Sequence, residues 1–446
     1  MKSTHARTRP LASTRTDVTV KVAYLASRFP KITETFVLQE ILAVQRLGVE
    51  VELFPLRRER TTTMHTEAAS LVQRAHFTRW LSWAIMRAHL HFLRRKPRAY
   101  CGALWTLLRA NWGSLRYSVG ALVFFPKAVY LAFAMRAHGI AHVHAHFASH
   151  PAAVAFVIHR LVGIPYSFTA HGSDLHRDRR MLREKVDEAV MVVAISNYNR
   201  DTIIAECGSE SGSTVVVIHC GVDTQKFRPP LAAPDGGVGG RLSIFCIGTL
   251  HEVKGQAYLI EACRSLTQRG IETDLHFVGD GPDRRRLLRQ AERAGLRNRV
   301  TFHGEKRDDE VAALLRTAHI VAAPSVPTSD GRREGIPVAL MEAMSSGVAV
   351  VATRLSGIPE LIENGECGLL VECRDAGALA DALQQLHEDP AQRHRLGQAG
   401  RAKVLQEFDV HTNAALLVDR FRASHLAGAS PPLVSPVGPT VVRVTS

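Results

Sequence analysis

Residues 228–240, RPPLAAPDGGVGG, divide the chain into two parts of the same kind. This stretch is mostly Pro, Gly and Ala without apolar periodicity, so it extends neither a helix nor a strand and has the composition of a linker. Ahead of it, β-branched and apolar runs at 18–27, 49–56, 142–148, 166–172, 191–196 and 215–221 predict strands. Helical patterns lie between them, such as 35–47, which stops at Gly48. Behind it the alternation restarts, with strands expected at 242–248, 274–279, 300–304, 320–324, 348–353 and 368–371, each followed by a helical segment. Short apolar strands alternating with helices predict parallel, doubly wound sheets covered on both faces. Two such α/β halves leave a cleft facing the C-terminal ends of both sheets, where ligands bind near helix N-termini. The expected division is a disordered basic N-terminus 1–17, an N-terminal domain 18–227, the linker 228–240 and a C-terminal domain 241–407. A helix 408–426 then packs back on the first domain, and a Pro/Val-rich tail 427–446 is expected to be disordered.

The 446 residues include 56 Lys+Arg against 42 Asp+Glu, a net charge of +14. That excess is local. No acidic residue lies between Glu67 and Asp174, while 12 basic ones and all four tryptophans (Trp80, Trp83, Trp105 and Trp112) fall there. A basic, aromatic helical block at about 74–140 points to an anionic surface, either membrane lipid or nucleic acid. Stacking on bases uses aromatics on an exposed groove, usually on strands. Here they alternate with Leu, Ala and Arg in expected helices, which favours a membrane and predicts no nucleic-acid partner. Trp and Tyr settle at the headgroup layer, and each Lys or Arg near an anionic surface contributes about 1 kcal/mol. Part of the aromatic set is expected to be core. With 46% hydrophobic and 22% charged residues, global disorder is excluded. Seven scattered cysteines without a C-x-x-C pair read as reduced thiols of a cytosolic protein. The first 17 residues lack the apolar core of a signal peptide. The longest apolar run, 119–135, is interrupted by Pro126-Lys127 and is short for a membrane span.

The chemistry concentrates in Glu334-Gly-Ile-Pro-Val-Ala-Leu-Met-Glu342. Gly335 and Pro337 mark a helix start, so Glu334 sits in the loop before it and Glu342 two turns inside. A bare pair at this spacing is more often a helix cap and a solvated glutamate. A helix N-terminus nevertheless suits a phosphate, and carboxylates accept hydrogen bonds from diols. Lys254 follows a strand and a short loop, a place the helix dipole disfavours for a cation unless an anion binds there. His171 ends a strand beside Gly172, and Asp174 reads as either a site residue or a helix cap. His142, His144, His146 and His150 lie on or beside one strand; alternate positions share a face, a possible zinc set. No Cys or carboxylate lies nearby in the sequence, and no metal is expected. Ser27-Arg-Phe-Pro-Lys31 occupies the first strand's turn, so the dinucleotide fingerprint G-x-G-x-x-G is missing.

These segments occur in an ordered set over about 18–426. Glu334-x7-Glu342 is followed by Ala343-Met-x-x-Gly347, Gly357-x-Pro359-Glu360 and Asn364-Gly-x-x-Gly368. Ahead of it lie Gly248-x-Leu250-x3-Lys254-Gly255, Gly279-Asp-Gly281-Pro282, Ala170-His-Gly172-x-Asp174 and Gly221-Val-Asp223-x3-Phe227. The set resembles the retaining glycosyltransferases of family 4. Arg28-Phe-Pro30-x3-Glu34-Thr35-Phe36 is similar to their colanic-acid and exopolysaccharide branch. The resemblance implies the GT-B fold, two Rossmann-like domains with a cleft between them. It also implies metal-independent transfer of a hexose-type sugar from a UDP- or GDP-linked donor, with retention and no cofactor. His171 and Glu334 would be catalytic. Gly248, Lys254, Gly279, Gly281, Glu334, Gly335, Ile336, Pro337 and Glu342 would bind the donor, and Arg28, Glu34 and Thr35 would lie on the acceptor side. Relatives carry an arginine two residues after the glycine matched by Gly248; here Thr249 stands next to that glycine and the arginine is missing, leaving Lys254, helix N-termini and Arg332 or Arg333 to neutralise the diphosphate. The acceptor would be a glycan on polyprenyl diphosphate, in exopolysaccharide, capsule or lipopolysaccharide biosynthesis. The enzyme would then be cytoplasmic and peripheral on the inner face of the membrane. A soluble acceptor, as in disaccharide synthases, and an inactive member serving as a scaffold are the alternatives.

Overall fold

The computed structural model describes residues 20–59, 64–78, 80, 82–176, 179–230 and 240–428. The expected N-terminal arm, most of the linker and the tail beyond 428 lie outside the described residues. Each predicted strand forms. β1 (Lys21–Ala26), β2 (Glu50–Pro55), β3 (His142–His146), β4 (Tyr166–Ala170), β5 (Met191–Ala194) and β6 (Val215–Val217) build one parallel sheet in the order β2-β1-β3-β4-β5-β6. β7 (Leu242–Ile247), β8 (Thr273–Val278), β9 (Val300–Phe302), β10 (Ile320–Ala323), β11 (Ala349–Thr353) and β12 (Leu369–Val371) build the second, in the order β12-β11-β10-β7-β8-β9. Strands such as MVVA of β5 and AVVAT of β11 are buried along their whole length, as helices on both faces of a parallel sheet require. In each sheet the strand order reverses beside its first strand, at β1/β3 and at β7/β10, the crevices where such sheets take ligands.

The chain crosses between the halves twice, and the two crossings are joined. The Val222 amide donates to the Phe408 carbonyl at 2.9 Å, the Val410 amide to the Val222 carbonyl at 3.1 Å, and the Thr224 hydroxyl to Asp409 at 2.7 Å. Val222 and Phe227 are buried in the C-terminal core with Phe408. The passage between domains therefore falls near Gly221, ahead of the composition break at 228, because apolar side chains dock on the second sheet before the Pro/Gly run begins. The helix Val410–Gly428 returns to the first domain, where Val410, Ala414, Leu417, Val418 and Phe421 pack with Val22, Tyr24 and Ile41.

The basic block forms three helices, Trp83–Arg95, Pro97–Ala110 and Leu115–Ala137, between β2 and β3. The last runs straight through Pro126, contrary to the interruption expected there. A proline inside a helix costs about 3 kcal/mol, and burial of Phe125, Ala128, Val129, Leu131, Ala132 and Met135 offsets it. Residues 117–137 of this helix are long and apolar enough to cross a membrane by length and composition, while one face packs into the N-terminal core. Buried Lys127 donates to the Leu56 carbonyl and sits 4.2 Å from the Trp80 ring centroid; burial lowers its ammonium to about 8. Outward, Trp83 and Trp112 are 81% and 82% exposed, joined by Met86, Trp105, Leu115 and Leu122.

Phe421 is fully buried, with its ring 5.0 Å from that of His142 and 5.3 Å from that of His144. Truncating a buried Phe costs about 3–5 kcal/mol. Phe421→Ala should lower N-terminal-domain stability by that order in denaturant unfolding, and an unchanged midpoint would show that the C-terminal helix is not docked there.

Candidate functional site

A cleft of about 330 Å³ lies between the C-terminal ends of the two sheets. On the C-terminal side, β10 leads into a loop that places Glu334 before the helix Val338–Ser345. No side chain caps that helix, so the first-turn amides of Val338 and Ala339 open on the cleft with the positive end of the helix dipole. Across the switch point, the turn after β7 carries Lys254, whose Nζ lies 2.6 Å from Glu334 Oε2. Gly248 allows this: its φ is +141°, and a Cβ there would lie 2.9 Å from Lys254 Cε. Arg332 lines the same wall, 3.4 Å from the His251 ring, and Arg333 donates to the Tyr198 hydroxyl at 3.3 Å.

Glu342 lies at the cleft floor and is buried. Burial, then the nearby Asp308 charge, raises its carboxyl to about 8. Asp308, at the start of the helix Asp308–Leu315, joins the two domains. It accepts from Gln39 at 2.9 Å and pairs with His65 at 3.0 Å and Lys226 at 3.6 Å. Burial alone would raise the Asp308 carboxyl, but the His65 hydrogen bond and charge, with Lys226 and Gln39, hold it below the ordinary range.

The opposite wall belongs to the N-terminal domain. His171 follows β4, and its ring lies between Phe36 (4.6 Å) and Phe147 (4.7 Å). Its Nε2 meets His146 Nδ1 at 3.1 Å and its Nδ1 meets Cys220 Sγ at 3.6 Å. Burial, then His146, pushes its pKa well below the usual imidazole range, so the ring is neutral. Asp174 accepts from the backbone amides of His171 (3.1 Å), Gly172 (2.7 Å) and Ala148 (2.7 Å), which makes it the anchor of this turn.

Behind His171 runs a buried ladder of imidazoles. The register of β3 against β4 sets His144 beside Ser167 and His146 beside Thr169. The Ser167 hydroxyl meets His142 (2.7 Å) and His144 (2.8 Å), and the Thr169 hydroxyl meets His144 at 3.0 Å. Glu40 lies 3.3 Å from His146 Nε2 and accepts from the Tyr24 hydroxyl at 3.1 Å. His150 stands apart, its ring 5.0 Å from that of Phe124.

The cleft therefore gathers Gly248, Lys254, Gly279, Glu334, Gly335, Ile336, Pro337, Glu342, Glu34, Thr35 and His171. Two expected residues stand outside its lining. Arg28 turns to Glu59 at 3.2 Å and borders a separate hollow, because a carboxylate across the β1 turn draws its guanidinium away. Gly281 packs against Leu250, where a Cβ would lie 2.4 Å from the carbonyl oxygen, so it shapes the turn and does not face the cleft. His251, Glu305, Lys306 and Asp308 are cleft residues that the motifs did not single out. Glu305 and Lys306 follow β9, and the rule that ligands meet loops after parallel strands would have found them.

The model of "Glycosyltransferase Family 4" matches residues 33–226, and that of "Glycosyl transferases group 1" matches 234–403. The chain is 33% identical over 409 residues to the colanic acid biosynthesis glycosyltransferase WcaL of Escherichia coli (strain K12), covering 87% of this chain and 96% of that protein. It is 35% identical over 248 residues to the amylovoran biosynthesis glycosyltransferase AmsK of Erwinia amylovora, covering 54% and 60%. Among solved structures, Anabaena HepE in complex with UDP-glucose shares the fold at a TM-score of 0.67 and 20% identity, covering 90% of this chain and 99% of that one.

Glu342 gives the site a pH signature. Its carboxyl titrates near 8 when folded and near 4.5 when unfolded, so the folded state holds an extra proton between those values. The associated stability is present in full below the unfolded value and is lost as pH rises to about 8. Wild type should therefore lose about 2–5 kcal/mol relative to Glu342→Gln between about pH 4.5 and pH 8. Parallel pH profiles from denaturant titrations would contradict a buried, protonated Glu342.

Proposed function

This chain belongs to glycosyltransferase family 4, in its exopolysaccharide branch, and we propose that it moves a hexose-type sugar from a UDP- or GDP-linked donor to a glycan on polyprenyl diphosphate, with retention of anomeric configuration. The observation that carries this reading is the Lys254–Glu334 pair at an uncapped helix N-terminus in the cleft. Cleaving the donor leaves negative charge on a nucleoside diphosphate, and stabilising that charge is the main catalytic demand. Lys254 leaves Glu334 for the diphosphate, where the Val338 and Ala339 amides add donors that need no reorganisation. Arg332 takes the place of the cation that Thr249 does not supply. Glu334, once released, accepts hydrogen bonds from the sugar hydroxyls, and Glu342 accepts from those of the ribose. His171, fixed between two aromatic rings, lies against the hydroxymethyl group of the sugar. In this proposal Lys254, Arg332 and the helix amides meet the diphosphate charge, and the transfer proceeds without a metal ion.

The presence of Lys254, Glu334, Glu342 and His171 around one cleft argues against an inactive scaffold. Purified protein screened against UDP- and GDP-sugars should bind one donor tightly or hydrolyse it slowly. Lys254→Ala and Glu334→Ala should each lower turnover about a hundredfold or more while leaving the circular dichroism unchanged. Wild-type turnover in either variant would refute the site.

The block exposes Trp83, Trp105, Trp112 and Leu115 together with Arg87, Arg94, Arg95 and Arg109, and in this proposal these side chains rest on anionic lipid on the inner face of the cytoplasmic membrane. The protein should co-sediment with vesicles containing anionic lipid more than with neutral ones, and Trp83→Ala with Trp112→Ala should weaken that binding. Equal, weak binding to both would contradict the docking, and activity independent of lipid would favour a soluble acceptor.

A further inference from the structure

We propose that Glu52, His76 and His138 form a binding site for a divalent cation of the zinc class on the outer edge of the N-terminal domain. They come from three separate elements. Glu52 lies on β2, His76 on the segment after the helix Ala68–Arg74, and His138 directly after the helix Leu115–Ala137. One carboxylate oxygen, Glu52 Oε2, lies 3.0 Å from His76 Nε2 and 3.1 Å from His138 Nδ1, and all three donor atoms fall within 4.8 Å of one another.

That spacing suits zinc. With metal–nitrogen and metal–oxygen distances of about 2.0–2.2 Å, a tetrahedral ion holds its ligands about 3.3 Å apart. The two carboxylate–imidazole distances need only a few tenths of an ångström of opening, and two imidazoles with one carboxylate match the ion's preference for nitrogen and oxygen donors. The rings are held in place. His76 stacks on the buried Phe54 ring at 4.4 Å, and His138 meets His76 edge-on at 5.0 Å. The His76 amide donates to the Leu53 carbonyl at 2.8 Å. The second Glu52 oxygen is engaged by Lys21 at 2.5 Å, which fixes the carboxylate's orientation and leaves Oε2 to the imidazoles. His138 stands at a helix C-terminus, where the dipole favours a cation. The side chains of His76 and His138 are 36% and 39% exposed, so water reaches the fourth coordination position.

The trio Glu40, His144 and His146, with both imidazoles buried, has comparable spacing but serves this purpose poorly. Glu40 already accepts from Tyr24 and His144 already meets Thr169, so a cation would have to break those bonds. The surface trio lies outside the cleft lining, and its occupancy is independent of the transfer reaction. A cation there joins the edge strand to the last helix of the basic block and stiffens that attachment.

The test uses full-length protein without a histidine tag, stripped with a chelator and titrated with Zn²⁺ by calorimetry. Wild type should bind one Zn²⁺ at this site and gain thermal stability, since binding to the folded state alone stabilises it. His76→Ala and His138→Ala should each weaken that binding about tenfold or more, and Glu52→Gln should do the same while keeping the side-chain shape. Co²⁺ should give the visible absorption of a tetrahedral site in wild type and lose it in the variants. Donor hydrolysis should be unchanged throughout, which separates this proposal from the transfer mechanism. Absence of stoichiometric binding by wild type, or equal Zn²⁺ affinity in His76→Ala, would overturn the site and leave the trio as a hydrogen-bonded cluster only.

Discussion

The backbone approach between the two domains at Gly172 and Gly335 is the constraint on which the site depends. A Cβ on Gly335 would lie 2.7 Å from the His171 carbonyl oxygen, and one on Gly172 would lie 3.0 Å from the Gly335 amide. Glycine at 335 avoids a clash and glycine at 172 avoids a tight contact, which lets the turn after β4 meet the loop before the helix Val338–Ser345. That meeting brings His171 of one domain beside Glu334 of the other, across a cleft narrow enough to enclose a small ligand. Other contacts hold the same closure. Glu360 of the second domain accepts from the amides of Asn197 (2.7 Å) and Tyr198 (2.8 Å), at the start of a helix in the first domain. Asp308 reaches Gln39 and His65 on the far side. The closure thus includes charge-assisted hydrogen bonds around two closely approaching glycines.

The electrostatics of the cleft follow from where its charges are buried. Lys254 and Glu334 remain partly accessible and pair with each other, each available to an incoming ligand. Glu342 is enclosed beside Asp308 and stays protonated in the absence of a ligand. On the other wall, burial keeps His171 and His144 neutral, and the hydroxyls of Ser167 and Thr169 supply the partners that buried imidazoles require. His142 Nε2 and both nitrogens of His144 on β3 therefore meet hydroxyls of β4, and Phe421 packs over these two rings. This explains how a strand reading HVHAH is buried along its whole length.

The sheets were legible because most strands are short, largely apolar runs bounded by turn residues, and the GT-B arrangement follows from two such series. The motif residues at strand ends were legible for the same reason: parallel strands deliver their C-terminal loops to one place. Local composition was a poorer guide elsewhere. Pro126 does not end its helix, because packing of Phe125 to Met135 outweighs the lost hydrogen bond. Val222 and Phe227 move the domain crossing upstream of the Pro/Gly run through contacts with residues nearly two hundred positions away. Arg28 turns from the cleft because Glu59 faces it, and the cross-domain pairing of Asp308 with His65 joins residues no local pattern relates. What sequence spacing misses in each case is long-range packing.

The most direct test of the central claim is a crystal structure of the protein with an intact, slowly hydrolysed analogue of its nucleotide-sugar donor. The account predicts the diphosphate within hydrogen-bonding distance of Lys254 Nζ and the Val338 and Ala339 amides, Glu334 released from Lys254 onto the sugar, and His171 facing the same sugar. A donor bound elsewhere, or one that leaves the Lys254–Glu334 pair intact with no phosphate contact, would contradict it.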